Sequence, residues 1–207
     1  MARYTGSVCK LCRRERTKLF LKGDRCVTDR CSVERRSYPP GEHGRRRVKE
    51  NDYLLQLREK QKARRVYGIG EKQFRNYYEK ALKEKGRTGE NLIRMLESRL
   101  DNVVYRAGFA SSRKQARQLV SHGHVTVNDR KVDIPSFQVK KGDVVGIAPR
   151  SKDNASVREA ADGFQREQVP WLSSDRRKLS CIVVDSPEGI CPDVQIRDEM
   201  IVELYSR

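Results

Sequence analysis

The sequence has little of what builds a large core. Aromatic side chains are 7% of its 207 residues, with a single tryptophan, and hydrophobic residues of all kinds reach 36%. Such a chain suffices for one large domain or two small ones around modest cores. No apolar run is long enough to cross a membrane and no apolar signal segment follows Met1. The expected location is therefore cytoplasmic, where thiols stay reduced and a disulfide framework is excluded. There is no glycine-rich phosphate loop, and no histidine is placed to serve a nucleophile, which argues against an enzyme. Acidic residues are also scarce: 28 stand against 45 Lys and Arg, a formal net charge of +17.

That positive charge is the chain's dominant property. Self-repulsion at this charge opposes compaction, and a polyanion would relieve it while releasing counterions. Residues 1–50 carry 15 basic and 6 acidic residues, residues 51–150 carry 22 and 11, and residues 151–207 carry 8 and 11. The polyanion-facing surface is therefore expected in the first 150 residues. The acidic remainder suits water or a basic protein.

Four of the 6 cysteines fall in one basic stretch, as Cys9-x2-Cys12 and Cys26-x4-Cys31. Two close pairs joined by a short loop suit a tetrahedral ion, and four sulfurs leave no open position for water. Flanking Lys and Arg would favour the thiolates. The expectation is one structural Zn²⁺ on Cys9, Cys12, Cys26 and Cys31, supplying folding free energy to a segment with few large apolar residues. The alternative is four reduced thiols that bind nothing. His43 is a weaker substitute ligand. Cys181 and Cys191, in apolar strand-like sequence, read as free, buried thiols.

The segment "RRSYPPGEHGRRR" (35–47) should be a rigid loop without regular structure. Its Arg35, Arg36, Arg45, Arg46 and Arg47 are candidate phosphate ligands. Helices are expected over 51–66, 71–85 and 90–97; in the second, Phe74, Tyr77, Tyr78, Ala81 and Leu82 form a core stripe. From Ser98 a compact unit begins. Leu100, Val103, Val104 and Ala107 mark one helix. The next runs from Ser112, which has capping-box spacing to Gln115, to Gly123 at a C-terminal cap position. On it Arg113, Lys114 and Arg117 should point outward. Period-two sequence follows in "HVTVN", "KVDI" and "FQVKKGDVVGI", so residues 98–147 read as two helices on a small antiparallel sheet. Arg113, Lys114, Arg117, His122, His124, Lys131 and Lys140 would then form a rigid basic display suited to folded RNA. Clusters at 30–49 and 58–65 add to it. An ordinary solvated face is the plain alternative for each cluster.

Several stretches are similar to the bacterial ribosomal protein S-four family: "MARYTG" with the cysteine cluster, "RRSYPPGEHG", "LREKQKARRVYGI", "ESRLDNVVYRAGFASSRKQARQLVSHGHVTVN", "PWL" and "IVELYSR". The resemblance implies an α+β protein, a mostly helical lobe with an N-terminal zinc-binding segment, plus an inserted RNA-binding module of two helices on a small antiparallel sheet. The division expected is a zinc-binding segment and basic loop (1–47), a helical lobe (48–97), the RNA-binding module (98–160), and a C-terminal segment packing back on the helical lobe (161–207). The resemblance further implies a non-enzymatic component of the small ribosomal subunit. Such proteins bind 16S rRNA early, nucleate assembly and contribute to translational accuracy. Their partners are neighbouring small-subunit ribosomal proteins, incoming mRNA and, in some bacteria, their own message. Members with these four cysteines bind zinc through them.

Two departures stand out. The hairpin turn after "HVTVN" is Asn128-Asp129 where Asn-Gly is usual, which leaves its turn type and register open. Residues 150–169 match loosely. Two rival readings remain. One is an RNA-modifying enzyme carrying the same module, since "RLD" (99–101) echoes a catalytic-aspartate motif; capping and solvation explain Asp101 better. The other is a zinc-dependent DNA-binding regulator.

Overall fold

The computed structural model describes residues 4–46 and 49–206. Its helices are α1 (Val8–Glu15), α2 (Ser32–Arg35), α3 (Asp52–Val66), α4 (Glu71–Lys83), α5 (Thr88–Glu97), α6 (Leu100–Arg106), α7 (Arg113–Ser121), α8 (Ala155–Asp162) and α9 (Asp198–Ser206). The strands are β1 (Val125–Val127), β2 (Arg130–Lys131), β3 (Val144–Ile147), β4 (Leu172–Asp175) and β5 (Ser180–Val183). The chain divides into two compact units. One holds the residues up to Ile93 and those from Ile190 onward, and the other spans Arg94–Gly189. The sequence expectation placed a boundary at 160, whereas residues 161–189 belong to the second unit.

The first unit is helical. Asn51 caps α3, its side chain accepting from the Leu54 N–H at 2.8 Å. The buried residues of α3 are Gln56, Glu59, Ala63 and Val66. The polar pair is buried because α9 and the chain before it supply partners. Gln56 Nε2 donates to Glu203 at 2.9 Å, and Glu59 accepts from the Arg197 N–H at 3.2 Å and from Lys62 at 2.6 Å. The α4 stripe packs as expected at Phe74, Tyr77, Tyr78 and Ala81, with Tyr205 of α9 stacked on Tyr78 at 4.6 Å. Leu82 departs from the stripe and is 60% exposed.

The cysteine segment differs from its expectation. Cys9 and Cys12 lie on α1 rather than in a tight turn, Cys26 ends a 3-10 turn (Gly23–Cys26), and Cys31 precedes α2. Among the described residues, no group of three or more His, Cys, Asp or Glu side chains could hold a metal ion. The donor set does not fit, and the expectation of a structural Zn²⁺ on Cys9, Cys12, Cys26 and Cys31 is corrected on that finding. The electrostatics differ from the premise as well. Burial, reinforced by the neighbouring thiols, pushes Cys12 up to about 11, and burial also raises Cys26. A thiol so shifted stays protonated at neutral pH. Of the flanking cations, Lys18 pairs with Glu34, and its charge only partly offsets the effect of burial on Cys26. Cys12, Cys26 and Cys31 are buried, as are Val8, Leu19 and Leu21 of the same segment.

The second unit is built on a five-stranded antiparallel sheet in the order β2-β1-β3-β5-β4. Its core joins Leu100, Val103, Val104, Tyr105 and Phe109 from the α6 region, Ala116, Leu119 and Val120 from α7, and the inward faces of the strands. β4 and β5 come from beyond residue 160 because β5 alternates, with Cys181 and Val183 buried and Ile182 exposed. That pattern lets β5 complete the edge of β3, with Val145 opposite Cys181. Burial pushes the Cys181 thiol up to about 12. "KVDI" (131–134) contributes only Lys131 to the sheet, paired with Arg130 in β2. The chain after it instead satisfies the start of α6: the Leu100 and Asp101 N–H groups donate to the Phe137 and Pro135 carbonyls, at 2.8 and 3.2 Å.

Candidate nucleic-acid interface

Helix α7 is fixed at both ends. The Ser112 side chain accepts from the Gln115 N–H at 3.4 Å, and Gln115 Oε1 accepts from the Ser111 N–H at 2.8 Å, so the reciprocal cap reaches one residue further back than expected. At the other end Gly123 takes φ +73°. Its N–H donates to Val120 and that of His124 to Leu119, at 2.8 and 3.0 Å. These two bonds form a Schellman cap. Gly123 has a second role: a Cβ there would run into the Lys131 side chain. The glycine thus brings Lys131 of β2 against the end of α7. His122 and His124 flank the same turn with rings 6.1 Å apart, and His124 Nδ1 is hydrogen-bonded to Ser151 Oγ at 2.8 Å.

The hairpin that carries Lys131 has a defined geometry. Asn128 and Asp129 both have positive φ, +49° and +62°, the conformation of a type I′ turn. The register is Val127 opposite Arg130 and Thr126 opposite Lys131. Asn128 is held in this conformation by three bonds: its N–H, Oδ1 and Nδ2 all bond to Asp143 or Val144, at 2.8–2.9 Å.

The basic display on α7 is only partly outward. Lys114 is exposed. Arg113 is 8% exposed: its Nε donates to Asn102 Oδ1 at 2.9 Å, and its guanidinium lies 4.4 Å from the Tyr105 ring centre. Arg117 is half-buried and donates through Nε and Nη2 to Asp101 at 2.8 and 2.6 Å. The expectation that all three point outward is corrected, because α6 brings acceptors under α7. Asp101 also receives Arg99 through two bonds, at 3.0 and 2.9 Å. Glu97 is the second anchor: it accepts from Arg106 through two bonds of 2.9 Å and from Asn102 Nδ2 at 2.8 Å. Asp101 is thus a buried ion-pair partner, neither a helix cap nor a solvated side chain. Sequence reasoning passed over Glu97, Arg99 and Arg106. The available signal was the placing of Glu97, Arg99, Asp101 and Arg106 among Leu96, Leu100, Val103 and Val104, since charges in so apolar a stretch must be paired.

The first unit holds a separate cluster. Arg35, Arg36, Arg45 and Arg46 are exposed, and Arg47 lies outside the described residues. The loop expected to be irregular contains one 3-10 turn, Glu42–Arg45. The guanidiniums of Arg45 and Arg13 lie 4.7 and 5.0 Å from the Tyr38 ring centre, and Arg13 Nε donates to the Tyr38 carbonyl at 3.0 Å. A hydrogen bond with Arg45, reinforced by the surrounding arginines, lowers the Tyr38 hydroxyl from its ordinary range. The third predicted cluster, 58–65, is largely neutralised within the unit: Arg58 and Arg65 pair with Glu15, Lys60 and Arg64 with Glu71, and Lys62 with Glu59. Lys140 is exposed beside Asp143, which accepts from its N–H at 2.7 Å.

Residues 3–97 match the family model described as "Ribosomal protein S4/S9 N-terminal domain", and residues 98–145 match the "S4 domain" model. Among curated proteins, the "Small ribosomal subunit protein uS4" of Acidothermus cellulolyticus is 56% identical over 208 residues, covering 100% of both chains. That of Desulfitobacterium hafniense is 54% identical, also over the full length of both. "Small ribosomal subunit protein uS4A" of Alkaliphilus oremlandii is 55% identical, again end to end. With both units matched and more than half of all positions shared with such relatives, this chain belongs to the uS4 family of bacterial small-ribosomal-subunit proteins.

Proposed function

We propose that the chain is a structural component of the small ribosomal subunit that binds 16S rRNA directly, and that it acts by binding rather than catalysis. Its place of work is then the ribosome in the cytoplasm. The observation that carries this reading is the end-to-end identity with uS4 proteins from several bacteria. The geometry supports it with two basic displays held by folded structure. One is Arg35, Arg36, Arg45 and Arg46 beside Tyr38. The other is Lys114 in the first turn of α7, with His122, His124 and Lys131 around the Gly123 turn at its far end, and Arg113 and Arg117 support it from beneath. Fixed cations of this kind match phosphates at fixed spacing. Early binding, nucleation of assembly and a contribution to translational accuracy follow as roles of the same contacts. The acidic C-terminal segment suits a basic neighbouring ribosomal protein. Repression of its own mRNA would be a second use of the same surface.

The test is competition binding of the full chain to a 16S rRNA 5′-domain transcript, a scrambled transcript and duplex DNA. The native transcript should win, and its affinity should fall about 10³-fold or more between about 50 and 200 mM salt. Equal binding to all three would remove the reading.

A further inference from the structure

The second unit carries a basic groove outside the stretch matched by the S4-domain model. It lies between α8 and the β4–β5 hairpin and is lined by Lys152, Arg158, Asp162, Arg176, Arg177 and Lys178. At about 700 Å³ it has the size of a small-ligand pocket, but its walls are cationic where such pockets are mainly apolar. We propose that this groove is a further seat for the phosphodiester backbone of RNA, additional to the displays at α7 and Tyr38. The proposal rests on the RNA-binding reading above and adds to it a site in residues 152–178.

Three features favour a phosphate backbone. The first is charge. Five cations face one lining carboxylate, Asp162, with Asp153 and Asp175 nearby. Asp153 pairs with Arg158, and Asp175 lies 3.6 Å from Lys178. Both pairs are solvent-exposed and therefore weak enough for a phosphate to displace. Lys152, Arg176 and Arg177 have no ion pair among the described residues.

The second feature is rigidity. Asp175 Oδ1 accepts from the Arg177 and Lys178 N–H groups, each at 3.1 Å, and these bonds hold its carboxyl below the usual range. Leu179 closes the turn at φ +54° with its side chain buried. The hairpin tip therefore presents its cations in one conformation.

The third is stacking. The Arg176 guanidinium lies 4.1 Å from the Phe164 ring centre, and its buried Nε has no hydrogen-bond partner. Arg166 lies 5.0 Å from Phe164 and 3.9 Å from Tyr105, whose ring also receives Arg113. An alternating ladder of Arg176, Phe164, Arg166, Tyr105 and Arg113 thus runs from the groove to α7. A planar guanidinium fixed on a ring loses little freedom on binding a phosphate.

The experiment uses the full chain and the 16S rRNA 5′-domain transcript. The groove variant is Lys152→Gln with Arg177→Gln and Lys178→Gln, all exposed side chains. The control variant is Lys72→Gln with Lys80→Gln and Lys83→Gln, exposed on α4. The groove variant should lower the slope of log affinity against log salt by about 2, with an unchanged urea midpoint, and the control should leave the slope near that of the unaltered chain. An unchanged slope in the groove variant, or an equal fall in both, would overturn the proposal. So would an unchanged slope together with loss of binding to a polyglutamate probe, which would assign the groove to acidic peptide. Failure of the ribosomal reading would look different: the unaltered chain would not prefer the native transcript to the scrambled one, while the slope comparison would still report on the groove.

Discussion

The arginines of α7 and those around Tyr38 look alike in the sequence and are used in opposite ways. Arg113 and Arg117 lie over α6, where Asn102 and Asp101 meet them at hydrogen-bond distance. Arg35, Arg36, Arg45 and Arg46 face water, and Arg45 is held by a ring rather than by a carboxylate. A carboxylate within reach turns an arginine into a structural group. An aromatic ring orients it and leaves its charge available. The same division appears along the chain: α3 has five cations between 58 and 65, and their partners are Glu15, Glu59 and Glu71. Net charge counted per segment therefore overstates what α3 offers a polyanion.

The largest effect that could break this comparison is at Glu97, which is fully buried and holds Arg106 through two bonds, with Arg113 4.0 Å away. Glu97→Gln would leave these guanidiniums without their anion in a place water does not reach. The expected cost is about 3–5 kcal/mol in urea unfolding of the second unit. A loss below about 1 kcal/mol would mean that the network orders the side chains without holding the fold, and the two sets of arginines would differ less than their geometry says.

A smaller effect sharpens the other side. Arg45→Gln with Arg46→Gln should leave thermal stability unchanged and reduce the salt slope of rRNA binding by about 1.5, as expected for two lost phosphate contacts. Arg113→Gln should do the reverse, lowering stability while the folded protein keeps its slope. If both variants moved the slope equally, Arg113 would be a phosphate ligand despite its burial.

Much of this could be read from residue order, and what could not has a physical cause. The helices at α3, α4 and α7 followed from period and caps, because local spacing alone decides them. Even there the inner face of α3 is not a local property, since Gln56 and Glu59 are buried by partners at Glu203 and Arg197, far away in sequence. The small antiparallel sheet was legible at "HVTVN", where alternation is clear. Its extension by β4 and β5 was not, because strand pairing across residues 144 and 182 is a non-local contact that no window reveals. The cysteine spacing was compatible with a metal site and with packing. Spacing is a statement about the chain, whereas the thiols' burial is a property of the folded segment, in which Val8, Leu19 and Leu21 are buried too. Among site residues, the exposed cations at 35, 36, 45, 46 and 114 were foreseeable, and the groove at 152–178 was not. Its cations come from separated segments within a stretch whose net charge is negative.

The smallest effect concerns the tip of the β1–β2 hairpin, where two neighbours share one backbone conformation with unequal support. Asn128 at φ +49° is tied to Asp143 and Val144 by side chain and backbone alike. Asp129 at φ +62° has no such tie among the described hydrogen bonds and is exposed. Positive φ costs an L-residue steric energy that glycine avoids, while glycine loses more freedom on folding. Asp129→Gly should therefore stabilise the second unit slightly, by about 0.5 kcal/mol, read as a raised urea midpoint with an unchanged slope. Asn128→Gly should destabilise, because the three bonds that pin the turn to Val144 and Asp143 include two from the side chain it removes. If both glycine variants were stabilising, the turn would be set by φ alone. Opposite signs would show that the asparagine side chain fixes the register that puts Lys131 beside Gly123.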